Sequence, residues 1–331
     1  MVSQQVDDED DYYESLPVDV KRAIQGLRGL QAAQVGIRKE PQKEVLALER
    51  KYAQSLQALY GRRKQVISGQ IGISKEEIIL GEVQSMKEDA DYQNLPALSA
   101  NTTTSRAVQV DGFWLRVLKG HPGIEGMIQE TDEPALHYLT DITISYPTKL
   151  SGGGDPSLAF SVNFHFSPNK FFSNSVLTKT YVYKDELGFF GTLLYSHVIG
   201  DTIRWKNGND LIKLAEEEAK KLDDNDDDDD SDDDDDDDGD KASFFEFFCP
   251  PPSITVPEDI QVTVQGTGAG DGIDKEDLLE NDFGFGEALK DQVIPRAIDY
   301  FTGDALAYEL DVDFDDDDEG EGEYGNDDDD D

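Results

Sequence analysis

The sequence predicts an α+β fold: a long N-terminal helix joined to an antiparallel sheet covered by helices, with acidic segments outside both. Three observations predict it. From Pro17 to about Ser68, apolar residues recur at three-and-four spacing. From Asp141 to Gly208, β-branched and aromatic residues alternate with period two between Gly, Pro and Asn turns. Residues 1–17, 223–240 and 311–331 hold 6, 15 and 14 acids respectively, with no Lys or Arg in any of them.

The first element is an acidic tail, residues 1–16. The helix predicted over 17–68 opens at Pro17, a residue suited to a first helical position, with Ser15 as a candidate cap. Its apolar stripe is Ile24, Leu27, Leu30, Val45, Leu48, Tyr52, Leu56 and Leu59. About 50 residues at 1.5 Å each make a rod of about 75 Å, too long to bury its stripe in its own domain. Dimerisation with a second copy is the reading this favours; the competing one is a helix folded back as a hairpin. Gly36 and Pro41 sit where such a fold would be, and an interior Pro costs about 3 kcal/mol, so a kink or break is expected near residues 36–41.

Residues 69–110 read as an accessory segment with a short helix around Lys75–Lys87. The α+β domain is expected over 111–310. "GFWLRVLKG" (Gly112–Gly120) and "EPALHYLTD" (Glu133–Asp141) read as short helices. "DITISYP" (Asp141–Pro147), "LAFSVNFHFS" (Leu158–Ser167), "SVLTKTYVYKD" (Ser175–Asp185) and "GDTIRWKNG" (Gly200–Gly208) read as strands, and their short connections argue for antiparallel pairing. Then comes an abrupt juxtaposition, "DDDDDDDGDKASFFEFF": the acidic insertion 223–240 runs into Phe244, Phe245, Phe247 and Phe248. The four rings are expected to dock against the sheet, so that the polyanion emerges beside them. Residues 250–281 read as linker, "GEALKDQVIPRAIDYFTGDAL" (Gly286–Leu306) as a covering helix, and 311–331 as an acidic tail.

Charge points to basic partners. The 331 residues carry 73 Asp and Glu against 29 Lys and Arg; outside the three acidic segments, 38 acids face 29 bases. The body is therefore only mildly acidic, and the excess is concentrated in chain that can reach. Extended poly-Asp spaces its charges by about 3.3–3.6 Å, close to the ~3.4 Å per charge of one DNA strand. Direct nucleic-acid binding is disfavoured by the same charge. One cysteine, Cys249, excludes an intrachain disulfide. A secretory signal and a membrane span are both missing from the pattern, so the sequence reads as soluble and intracellular.

No catalytic or cofactor pattern is expected. His121, His137, His165 and His197 have no metal-site spacing, and His165 should face away from Phe164 and Phe166 on its strand. "QGTGAGDG" (Gln265–Gly272) fits no dinucleotide-binding register. Asp234, Asp236, Asp238 and Gly239 start an EF-hand register, but its closing position falls on Phe245.

Six motifs in order resemble the nucleosome assembly protein family: "LERKYAQSLQALYGRRKQVISG" (Leu48–Gly69), "FWLRVLKGHPGIEGMIQETDEPALHYLTDI" (Phe113–Ile142), "FHFSPNKFFSNSVLTKTYVYKDELG" (Phe164–Gly188), "IRWKNGNDL" (Ile203–Leu211), "SFFEFFCPP" (Ser243–Pro251) and Gly286–Leu306. The resemblance implies a homodimer built on the stripe named above, carrying an "earmuff" domain. It also implies ATP-independent chaperoning of core histones on an acidic concave face, without a cofactor. Further implied partners are linker histone and a nuclear import receptor, with higher oligomers of the dimer and shuttling between nucleus and cytoplasm. Carried onto this sequence, the histone-binding acids are Glu130, Asp132 and Glu133, with Asp311, Asp313, Asp315, Asp316, Asp317 and Asp318 of the tail; the charge pattern itself adds Asp223, Asp224, Asp226, Asp227, Asp228, Asp236, Asp237 and Asp238 of the insertion. One difference stands out. Where the family carries a Lys/Arg-rich hairpin with an import signal, this chain has "AEEEAKKLDDNDDDDD" (Ala215–Asp230). The alternative reading of the charge pattern is an acidic regulator of another enzyme, or a generic carrier of basic proteins.

Overall fold

The computed structural model describes residues 12–306 apart from 14, 90, 100, 152, 189–190, 224–241 and 250–274. Helix α1 spans Val18–Ile67 as one 50-residue helix. Its N-cap is Pro17, whose carbonyl accepts from Lys21 N at 3.0 Å. Ser15 is not the cap; its Oγ donates to the Tyr12 carbonyl. The break expected near residues 36–41 is absent, and the helix continues through Pro41. Proline removes one backbone donor and crowds the preceding turn, but the body holds the helix on both sides of it. Lys39 and Lys43 both reach the Asp185 carboxylate, at 3.0 and 2.7 Å. Tertiary anchoring here overrides local propensity.

After α1, Ser74 caps helix α2 (Lys75–Glu88) in a reciprocal capping box with Glu77. Arg62 of α1 clamps the same Glu77 with two nitrogens, at 2.9 and 2.8 Å, which holds its carboxyl down at about 2. Three short helices follow: α3 (Phe113–Lys119), α4 (Pro122–Glu125) and α5 (Glu133–Leu136).

The sheet has four antiparallel strands in sequence order: β1 (Leu139–Ser145), β2 (Ala159–Phe166), β3 (Val176–Leu187) and β4 (Leu193–Gly200). β1 starts two residues before Asp141, where the pairing register is irregular. The fourth strand corrects the sequence reading, which placed it at 200–208. Residues 201–208 form no strand; Trp205 makes one isolated bridge to Phe172, and the rings meet edge-on at 5.7 Å. "LLYSHVIG" carries no period-two alternation, its apolar residues coming in the runs Leu193–Tyr195 and Val198–Ile199, and its burial at this sheet edge does not alternate either.

Register assigns the two faces. Phe160, Val162 and Phe164 of β2 stand opposite Tyr181, Lys179 and Leu177 of β3 on the core face. The other face is polar. Ser161 and Thr180 hydroxyls lie 2.8 Å apart, and His165 Nε2 lies 2.9 Å from Thr143 Oγ1, so His165 does point away from Phe164 and Phe166.

Helix α6 (Leu211–Asp223) leads out of the sheet region, and the chain returns as a 3-10 turn, Phe244–Phe248. All four phenylalanines are buried; Phe164 meets Phe244, Phe247 and Phe248 at 6.1, 5.6 and 5.2 Å between ring centroids. Each buried Phe is worth about 1.5–3 kcal/mol, so the cluster fixes the turn on the sheet as expected.

Helix α7 (Lys275–Ala288) begins inside the stretch read as linker 250–281. It packs so closely that a Cβ on Gly286 would stand 2.4 Å from the Tyr181 ring. The helix expected over 286–306 is divided. A π turn (Leu289–Val293) and Pro295 intervene before α8 (Ala297–Thr302), which stacks Phe301 on Phe113 of α3 at 4.9 Å.

Candidate functional site

The acids singled out between α4 and α5 have different fates. Asp132 is fully buried. Its carboxylate accepts from Ser243 Oγ at 2.6 Å, Phe244 N at 2.7 Å and Gln129 N at 3.1 Å. Burial pushes its carboxyl up, and those donors pull it back. Asp132 is therefore not a surface ligand but the post that ties the Phe244–Phe248 turn to the α4–α5 connection. Local sequence carries no sign of this, because an Asp among exposed acids looks the same whichever way its backbone faces.

Glu130 is exposed and Glu133 half-buried beside it. Lys119 of α3 donates to Glu133 and also feels Glu125 and Glu130, and the Glu133 contact leads in holding its ammonium above the usual lysine range. Glu133 pairs with Lys119 while Glu125 and Glu130 act on it from farther off, so over α3–α5 the three carboxylates exceed the two exposed cations, Lys119 and Arg116, by one.

The described chain resumes at this surface after residue 241. Gln129 Nε2 donates to the Ala242 carbonyl at 3.4 Å, one residue before Ser243 is gripped by Asp132. The residue that follows the polyanion in the described chain is therefore seated next to Glu130. The insertion departs from α6, whose last residue is Asp223. Asp224, Asp226, Asp227, Asp228, Asp236, Asp237 and Asp238 of the insertion, and Asp311, Asp313, Asp315, Asp316, Asp317 and Asp318 of the tail, lie outside the described residues.

Where α6 meets the turn, two more acids crowd together. Glu246, half-buried between Phe245 and Phe247, has its carboxyl pushed up to about 7, by burial first and then by Glu216 and Asp132. Neither residue was singled out from sequence. Helix α6 was missed as well, its "AEEEAKKLD" being read as part of an acidic connection.

A second surface lies on α1. Leu27, Leu30, Val45, Leu48, Tyr52, Leu56 and Leu59 are exposed, several by more than half (Leu30 69%, Leu59 66%), and Ile24 is half-buried. At 100° per residue the eight fall within about 120° of the helix circumference. An apolar stripe of this length left in water is unusual for a surface helix.

The described residues hold no cluster of three His, Cys, Asp or Glu suited to a metal ion, and no helix long and apolar enough to cross a membrane. Cys249 is partly desolvated, and that burial raises its thiol.

Comparison with known proteins identifies the scaffold. The sequence profile described as "Nucleosome assembly protein (NAP)" matches residues 22–304. The chain belongs to the nucleosome assembly protein family. Among NAP family relatives, it is 33% identical over 313 residues to nucleosome assembly protein 1 of Candida albicans, covering 90% of this chain and 70% of that protein. It is 34% identical over 305 residues to nucleosome assembly protein 1-like 1 of Xenopus tropicalis, covering 89% and 72%. Among solved structures, a nucleosome assembly protein from Plasmodium falciparum aligns with a TM-score of 0.45 at 22% identity, over 87% of this chain and 99% of that one.

Proposed function

We infer that this NAP family protein is a histone chaperone that binds core histones and promotes nucleosome assembly. The observation that carries the reading is the family match over residues 22–304, on a chain with 73 acids against 29 bases. The mechanism is competition for charge. Histone Lys and Arg surfaces engage carboxylates on the chaperone instead of making premature DNA contacts, and transfer when duplex DNA offers a better-organised polyanion. No ATP is needed, because the exchange runs downhill. The acids over α3–α5, Glu130 and Glu133 among them, supply the folded half of the site. The insertion that returns beside them, and the tail at 311–331, supply collecting arms whose attraction extends about 8 Å at physiological salt.

The same reading makes the protein a homodimer through the α1 stripe, working in the nucleus and shuttling through the cytoplasm. The full length of exposed apolar α1 supports the dimer, because a second copy of the same helix would cover it. Linker histone and an import receptor are further partners in this reading. The acidic α6 region favours an import route that does not depend on a basic hairpin there.

The test is a DNA-competition assay at about 0.15 M ionic strength. Histone pairs and DNA are mixed with and without the protein, and nucleosomes are counted against non-nucleosomal aggregates. The expected result is fewer aggregates and more nucleosomes, without nucleotide. Equal aggregation with and without the protein would remove the chaperone reading and leave the generic polyanionic carrier.

A further inference from the structure

Helix α1 is basic in an acidic protein. Val18–Ile67 holds 11 of the chain's 29 Lys and Arg and only 4 of its 73 Asp and Glu. Some of these cations anchor the body, as Arg62 and Lys43 do. Others do not: Arg28 and Arg38 are exposed and make no ion pair among the described residues.

The chain before α1 turns back along the helix. Leu16 N donates to the Tyr13 carbonyl at 3.2 Å, reversing the chain just before Pro17. The Tyr13 ring then lies 5.4 Å from Lys21 Nζ and 5.4 Å from Arg28 Cζ, and its hydroxyl accepts from Gln25 Nε2 at 3.1 Å. Positions 21, 25 and 28 follow one another up one helix face. Going backward in sequence from residue 17 to residue 13 therefore moves forward along α1, from its first turn to its third.

The next residues back are acidic: Asp7, Asp8, Glu9, Asp10 and Asp11, outside the described residues. Two to six residues of extended chain reach about 7–20 Å beyond Tyr13, which is about 5–14 residues of helix at 1.5 Å each. That reach ends on the level of residues 33–42 or so. The face that holds Lys21, Gln25 and Arg28 continues through Ala32 and Val35, neither charged, to Lys39 and Lys43; Arg38 lies about 100° round the helix, at the angle of the apolar stripe. Lys39 and Lys43 share the single carboxylate of Asp185, while Glu40 and Asp155 act on Lys43 from farther off. Among the described residues, two lysines here share one contacting carboxylate.

We propose that the acidic segment Asp7–Asp11 docks on the basic face of its own α1 helix, between Arg28 and Lys43, with Tyr13 as the fixed end of the clasp. The occupant follows from three facts: the tether is short, its observed direction leads to the cations, and its charge is opposite to theirs. Each ion pair is exposed and weak, but the tether keeps the acids at high effective concentration. The clasp masks one acidic segment and the helix cations together. A basic partner that takes these carboxylates must displace the helix, and Lys39 and Lys43 are left sharing Asp185 when it does. The proposal stands independently of which basic protein that partner is.

The test uses the full-length protein and a carbodiimide, which joins a carboxylate directly to a lysine amine. Mixed samples of light and nitrogen-15-labelled chains, exchanged before reaction, separate links within a chain from links between chains. The expected products join residues 7–11 to Lys39 or Lys43 within one chain. Their yield should fall several-fold in about 1 M salt, where screening shortens to about 3 Å, and several-fold in Tyr13→Ala. Links from Asp185 to Lys39 or Lys43 serve as the internal control that those amines react. Links between chains would overturn the proposal in favour of docking on the second copy. Equal yields on Lys75, Lys87 and Lys149, or none on α1 while the control links form, would overturn it outright.

Discussion

The outer half of α1, residues 18–37, and the inner half, residues 38–67, share one helix but are held in different ways. The inner half is fixed by polar contacts to the body. Arg63 donates to the Ile294 carbonyl at 2.6 Å and lies over the Trp114 ring at 5.1 Å. Arg50 reaches the Pro156 and Ala159 carbonyls, and Glu49 accepts from Lys290 at 2.9 Å. The outer half has no such anchors; every residue in it is exposed except half-buried Lys21 and Ile24. Both halves nevertheless carry the apolar stripe. The stripe is exposed along both halves, including the half that has no contact of this kind with the body, so body docking does not account for it.

Breaking the stripe should give the largest effect. Leu30→Glu with Leu48→Glu and Leu56→Glu places charge along the seam while leaving Arg50, Arg63 and Glu49 untouched. The expected outcome is a halving of native mass by light scattering, with the far-ultraviolet spectrum of the body retained. A mass unchanged by three charges would show that the stripe does not join two copies.

Breaking the body should leave the outer helix indifferent. Lys179 is buried and pairs with Asp282 of α7, donates to the Phe247 carbonyl and lies 4.1 Å from the Phe247 ring centroid. It joins sheet, phenylalanine turn and α7 at one point. Removing one partner of a buried pair costs about 3–5 kcal/mol, so Lys179→Ala should lower the unfolding midpoint of the body markedly in chemical denaturation. Arg63→Ala should cost less, toward the low end of about 1.5–3 kcal/mol for a hydrogen bond from a charged group, because Nε and Nη2 are buried without partners.

Those two residues also show what the sequence could and could not disclose. The stripe, the sheet class and the docking of Phe244, Phe245, Phe247 and Phe248 are periodic or compositional signals, carried within a few residues. The role of Lys179 is not. Alternation places it on the face of Leu177 and Tyr181, yet only Asp282, far along the chain, makes a lysine tolerable there. Asp132 was misread for the same reason, since its partners Ser243 and Phe244 lie beyond the whole sheet. The missed β4 and the unbroken helix at Pro41 likewise depend on neighbours supplied by tertiary structure, Asp185 in the second case.

The smallest effect is a pH dependence. Glu246 has a carboxyl raised from 4.5 to about 7. The folded state therefore holds its proton more tightly than the unfolded chain. The stabilisation is fully present below about pH 4.5 and is lost as pH rises toward 7. Ionised Glu246 would then face Glu216 across a half-buried contact. Glu246→Gln should flatten the stability profile between those limits and raise stability at pH 8 relative to the unaltered protein, measured by denaturation at several pH values.

The central claim is that the folded dimer and its acidic arms divide the work of holding basic histones. It is tested most directly by calorimetry on purified core histone pairs with parallel native mass, comparing the intact protein with a variant lacking 223–240 and 311–331. The account predicts that the variant keeps two chains per complex and most of its affinity, but captures histones more slowly. Affinity that vanished with the arms, or free poly-aspartate that bound equally well, would contradict it.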